Sequence, residues 1–91
     1  MKATIAMVGK GKPKYHHLKI LPEYFNEVQS LNKQFELRKD DRGYQVGDWI
    51  LLEEYENGEY TGRQAGYFRI SYILRNCPEY GLMDGYCIIG W

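Results

Sequence analysis

The chain has 91 residues, the length of one domain with one modest core. Lys+Arg number 12 and Asp+Glu number 12, so the formal net charge is zero. That balance argues against a protein that holds duplex DNA by broad charge neutralisation, but it leaves room for a small basic groove.

The nine tyrosines are the unusual feature of the composition. Tyrosine suits half-buried strands, and its ring can also stack on a base or another planar ligand. Charge is unevenly spread: Lys2, Lys10, Lys12, Lys14 and Lys19 precede the first acid, Glu23, while Glu53, Glu54, Glu56 and Glu59 cluster in mid-chain. Cys77 and Cys87 have no metal-type spacing, and His16 and His17 are adjacent rather than set at helical ligand spacing. Both cysteines are expected to be reduced and structural, and neither a metal nor a cofactor is expected. The Ala3–Val8 run is too short for the apolar part of a signal peptide, and no run reaches membrane-spanning length. The expected location is therefore cytoplasmic, with no membrane partner.

In chain order, residues 1–15 read as an extension and residues 16–91 as the domain. Ala3–Val8 could form a short strand or pair with a neighbouring chain. Gly9–Lys14 is a basic loop that lacks the Gly-Lys-Ser/Thr ending of a phosphate loop. His16–Leu21 predicts a strand, with Leu18 and Ile20 on one face and His17, Lys19 and Leu21 on the other. Pro22–Leu31 predicts the one clear helix: proline suits the first helical position, Glu23 suits the positive end of the dipole, and Phe25, Val28 and Leu31 repeat at helical spacing. Asn32 is the expected left-handed terminator.

Gln34–Lys39 predicts a strand in which Phe35 and Leu37 take the buried face and Glu36 and Arg38 the other. Asp40–Gly43 supplies turn chemistry, and Val46–Asp48 a second corner that Asp48 should pin. Trp49–Tyr55 predicts a strand returning through Asn57-Gly58, a type I′ hairpin signal, to a partner that begins near Tyr60. Gly62–Gly66 reads as a loop or as an irregular strand with a bulge. Tyr67–Leu74 alternates, with Phe68, Ile70, Tyr72 and Leu74 on one face. Asn76–Gly85 reads as loop, and the apolar run Tyr86–Trp91 as a central strand. One helix and about five or six strands predict an α+β domain, mostly β. Closing the sheet into a small barrel plugged by the helix would remove its exposed edges.

HHLKILPEYF, a helix, NKQFELRKDDRGYQVGDWILLEEY, YTGR and the GYCIIG ending together resemble small bacterial and phage proteins of the ASCH group of the PUA-like superfamily. The resemblance covers the chain from His16 onward. The group's recurring core is Gly-x-Lys-x-x-Glu-x-Arg after the first helix; here it is Asn32, Lys33, Glu36 and Arg38. The resemblance implies a PUA-like mixed β-barrel with a cleft, in a group proposed to bind RNA. It also offers a hydrolytic alternative. An ASCH-type relative removes the acetyl group of acetylated cytidine with a lysine, a threonine and a distant glutamate. Lys33 matches that lysine, Glu36 stands at the threonine position, and the glutamate has no match.

Arg38 offers a planar fork of donors that can grip a phosphate or a base edge in two places. Glu36 could orient that fork or, in an enzyme, act as a general base with Lys33 beside it. Lys39 and Arg42 are candidate phosphate contacts, His17, Lys19 and Tyr86 candidate cleft walls, and Tyr44 a candidate stacking platform. The partner expected on this reading is RNA or a nucleotide-like ligand. The Glu53–Glu59 cluster better suits a protein-interaction or regulatory domain.

Overall fold

A computed structural model of the chain describes residues 11–91; the Ala3–Val8 strand expectation lies outside them. Among the described residues, six strands and one α-helix follow in order: β1 Tyr15–Ile20, α1 Pro22–Gln29, β2 Phe35–Lys39, β3 Trp49–Glu56, β4 Glu59–Arg69, β5 Tyr72–Leu74, a 3-10 turn Pro78–Tyr80, and β6 Tyr86–Gly90. The α+β, mostly-β expectation stands, but the barrel does not. The strands form two open three-stranded sheets, ordered β1-β3-β4 and β2-β6-β5.

The sheets fail to join between β1 and β2 for a visible reason. The carbonyls of His17 and Lys19 on β1 accept hydrogen bonds from the guanidinium groups of Arg42 and Arg38. Side-chain donors thus stand where the N–H groups of a neighbouring strand would close a barrel. At the other seam the chain changes sheets. Ile70 N–H donates to Asp48 O, and Ser71 N–H donates to Gly90 O in the second sheet. The single strand expected over Tyr67–Leu74 is therefore split, and Tyr72 turns to solvent while Ile70 is buried.

The core lies between the sheets under α1. It contains Leu18 and Ile20 of β1, Phe25 and Val28 of α1, Ile50 and Leu52 of β3, Ile70, and Cys87 and Ile89 of β6. Burial, with Asp40 nearby, pushes the Cys87 thiol up to about 11, so it behaves as an apolar filler. β6 lies centrally in its sheet, as its apolar run predicts. The Asn57-Gly58 turn has both residues at positive φ, as a type I′ hairpin requires. The Gly62–Gly66 stretch lies within β4, whose pairing to β3 shifts register twice. At Gly66, with φ +126°, a Cβ would sit 2.7 Å from Ile50 O, so the bulge there accepts only glycine.

β2 reverses the expected faces. Its register is pinned at both ends, by Asp40 N–H on Gly85 O and Trp91 N–H on Gln34 O. Within it Glu36 pairs with Ile89 and Arg38 with Cys87. Cross-strand partners share a face, and Cys87 and Ile89 belong to the core. Glu36 and Arg38 consequently point inward, while Phe35 is 47% and Leu37 57% exposed.

The helix ends two residues early, at Gln29, and the left-handed residue is Leu31, with φ 67°, not Asn32. Leu31 N–H donates to Val28 O and Asn32 N–H to Glu27 O, the paired bonds of a Schellman motif. Leu31 is 68% exposed rather than a core residue. A β-carbon there is strained and buries little. Leu31→Gly should raise stability by about 0.5–1 kcal/mol, read as a higher urea midpoint at unchanged slope.

Candidate functional site

The Schellman turn delivers the chain from α1 directly into β2. That bend brings Lys33, which precedes the strand, to the same place as Glu36 despite their opposite parity. Glu36 is only 6% exposed. Its Oε1 accepts from Lys33 Nζ, and its Oε2 accepts from Arg38 Nε at 2.9 Å, with Arg38 Nη2 at 2.8 Å. Lys33 Nζ also donates to Phe35 O at 2.6 Å, and Arg38 Nη2 to Lys19 O. One buried carboxylate therefore holds two cations, and one of those cations reaches across to the other sheet.

These groups line a cleft of about 470 Å³ between β1, the start of α1 and β2. Lys19, Lys33, Arg38 and Lys39 are among its lining residues, and Glu36 is the single acid. Ile20, Leu21, Tyr24, Phe35 and Leu37 complete it. Lys33 Nζ lies 4.8 Å from the Phe35 ring centroid and 5.8 Å from that of Tyr24. A hollow with an excess of cations and two aromatic rings suits an anionic guest with a planar part. Both oxygens of Glu36 are occupied as counter-ions, so the hydrolytic alternative would first have to free one of them to take a proton.

Five of the nine candidates meet here: Lys33, Glu36, Arg38, Lys19 and Lys39. The others are elsewhere. Arg42 ties down His17 O at 3.1 Å on the edge of β1. The His17 side chain stands on the outer face of the first sheet, 3.7 Å from Glu53 and near the Tyr67 ring. Tyr44 is no stacking platform: it is buried in the core against His16, ring centroids 4.8 Å apart, and burial raises its hydroxyl pKa. Tyr86 pairs with Lys39 across β2 and β6, on the face opposite Glu36, and does not line the cleft. Sequence reasoning missed Tyr24 and Phe35 as wall residues. Tyr24 was legible as the exposed flank of an amphipathic helix, but Phe35 was hidden by the face reversal.

Asp48 performs the expected corner role. Its carboxylate accepts from the N–H groups of Lys14 and Gln45, and lies 2.8 Å from His16 Nε2. Among the described residues no group of His, Cys, Asp and Glu could hold a metal ion, and no helix is long and apolar enough to cross a membrane.

Removing the charge of Glu36 would leave Lys33 and Arg38 without their counter-ion in a largely buried place. Glu36→Gln should therefore destabilise the fold by about 3 kcal/mol, measured by urea unfolding. Lys39→Ala, outside this network, should change stability by less than about 0.5 kcal/mol.

A curated relative with this kind of sequence is described as an uncharacterized 12.9 kDa protein in the GpA 3′ region of Escherichia phage P2. The two are 41% identical over 52 residues, which is 57% of this chain and 48% of the phage protein. The match thus spans about half the length of that relative. Over residues 15–91, from the first residue of β1 to the last of the chain, the sequence matches the model described as a domain of unknown function, DUF3850, and the chain belongs to that family.

Proposed function

We propose that this chain is a small nucleic-acid-binding module that takes RNA or a nucleotide-like ligand in the cleft built on Lys33, Glu36 and Arg38. The supporting observation is the lining of the cleft: Lys33 and Arg38 on the one carboxylate of Glu36, with Lys19, Lys39 and the Tyr24 and Phe35 rings among the other lining residues. Phosphate would meet Lys19, Lys39 and the outward part of Lys33, and a base would lie against a ring. Glu36 keeps the cationic pair in place and so acts on the ligand indirectly. The ASCH-like motif Lys33-x-x-Glu36-x-Arg38 supports the same reading from the sequence side.

Binding of fluorescent single-stranded RNA and of a nucleoside monophosphate should weaken as salt rises from 50 to 200 mM, a range that separates phosphate contacts from neutral ones. Lys39→Ala should lower affinity for both ligands and reduce the salt slope for RNA by about 1. An absence of salt-sensitive binding to RNA, single-stranded DNA and the nucleotide would end this reading.

A second reading, a protein-interaction domain, is favoured by one observation. Phe35, Leu37, Tyr72 and Leu74 crowd the outer face of the β2–β6–β5 sheet, each more than a third exposed. Contiguous apolar patches of this kind mark contact surfaces. On that reading, pull-downs from nuclease-treated lysate retain a partner that Leu37→Lys loses and Lys39→Ala does not.

A further inference from the structure

The outer face of the β1–β3–β4 sheet is lined with aromatic rings in a way that packing alone does not require. Register puts Tyr15, Trp49 and Arg69 in one cross-strand row, His17 with Leu51, Lys19 with Glu53 and Gln64, and Tyr55 with Tyr60. Tyr67, at the first register shift, joins the same face. Its ring meets Tyr15 edge-on at 5.4 Å and lies 6.2 Å from His17. Tyr15 in turn stacks on Trp49 at 6.5 Å, with an interplanar angle of 14°. A core role would bury these rings, yet Tyr15 is 63% and Tyr67 48% exposed.

Cations stand at both ends of this aromatic row. At one end Lys19 Nζ lies 4.3 Å from the Tyr55 centroid, and Lys19 also lines the Glu36–Arg38 cleft. At the other end Lys12, Asp48 and Arg69 are among the residues lining a smaller hollow of about 200 Å³ that shares Trp49 with the aromatic face. The face therefore runs from the cleft to a second polar hollow, with exposed rings between them. Its one central carboxylate, Glu53, has His17 Nδ1 at 3.7 Å and accepts a hydrogen bond from Gln64 Nε2 at 3.3 Å.

We propose that this face is a base-stacking platform for single-stranded nucleic acid, which continues the cleft across β1. Unpaired bases would stack on Tyr15 and Tyr67, and the backbone would be held by Lys19 at one end and by Arg69 at the other. Exposed rings on a sheet surface stack two or three bases in other folds, and alternating rings and cations are the usual footprint of a single strand. Duplexes, whose bases are already stacked on one another, are disfavoured. The platform extends the cleft reading above, but it has its own observables.

The test compares a ten-nucleotide single-stranded oligo(A) RNA, the same length as duplex, and adenosine monophosphate, against wild type, the double variant Tyr15→Ala/Tyr67→Ala, and Lys39→Ala. The platform predicts that wild type prefers the single strand to the duplex. It also predicts that the double variant loses at least tenfold in affinity for the single strand while binding the monophosphate as wild type does. Tyr15→Phe/Tyr67→Phe should restore the affinity. Should the alanine pair fail to fold, photo-crosslinking of wild type to a 4-thiouridine-containing RNA decides the matter: adducts on Tyr15, Trp49 or Tyr67 are expected, and adducts confined to the cleft overturn the proposal. Unchanged single-strand affinity in the double variant, with a loss in Lys39→Ala, would remove the platform and leave the cleft. Tyrosine-dependent RNA binding without any binding of the monophosphate would do the reverse. No binding of any ligand would remove both.

Discussion

The grip of Glu36 on Lys33 and Arg38 is the interaction on which the rest of the architecture turns. A carboxylate that is almost fully buried must be paired, and here it is paired twice. Because Arg38 is held by Glu36 from one side, its Nη2 is aimed at the carbonyl of Lys19 on the other sheet. The two sheets are thereby tied through a side chain where a barrel would tie them through a ladder. A ladder would fill the gap between β1 and β2. A guanidinium spans it and leaves the hollow beside it open.

The same constraint accounts for the dressing of the two sheets. Turning Glu36 and Arg38 inward forces Phe35 and Leu37 outward, since strand side chains alternate. The second sheet therefore has a charged inner margin and an apolar outer face, while Cys87 and Ile89 still fill the core behind it. The first sheet keeps the ordinary arrangement on β1, with Leu18 and Ile20 inside, and its outer face is where the aromatic rings collect. The apolar and the aromatic outer faces are both by-products of which side chains the core accepted. Lys19 belongs to both the lining of the cleft and the aromatic face, so the two adjoin at β1.

Much of this was legible from local chemistry. Pro22 and the spacing of Phe25 and Val28 mark the helix, Asn57-Gly58 marks the hairpin, and the run Tyr86–Gly90 marks a central strand. Each depends on a conformational preference or a period that neighbouring residues impose on one another. The proximity of Lys33, Glu36 and Arg38 could be read for the same reason, since all three fall within six residues of chain. Tyr44 and Tyr86 were misplaced because a tyrosine carries no local mark of whether its ring faces core, cleft or solvent.

By itself, the order of residues determined the helix, the strands and the closeness of the charged trio, because these rest on short-range sterics and periodicity. Only the tertiary structure decided which face of β2 is buried, since the register imposed by β6 outweighs the local alternation of apolar and charged residues. Whether the sheet closes was likewise decided there. Closure is a competition between strand N–H groups and the guanidinium groups of Arg38 and Arg42 for the same carbonyls, and that competition is settled by residues some 19 and 25 positions apart.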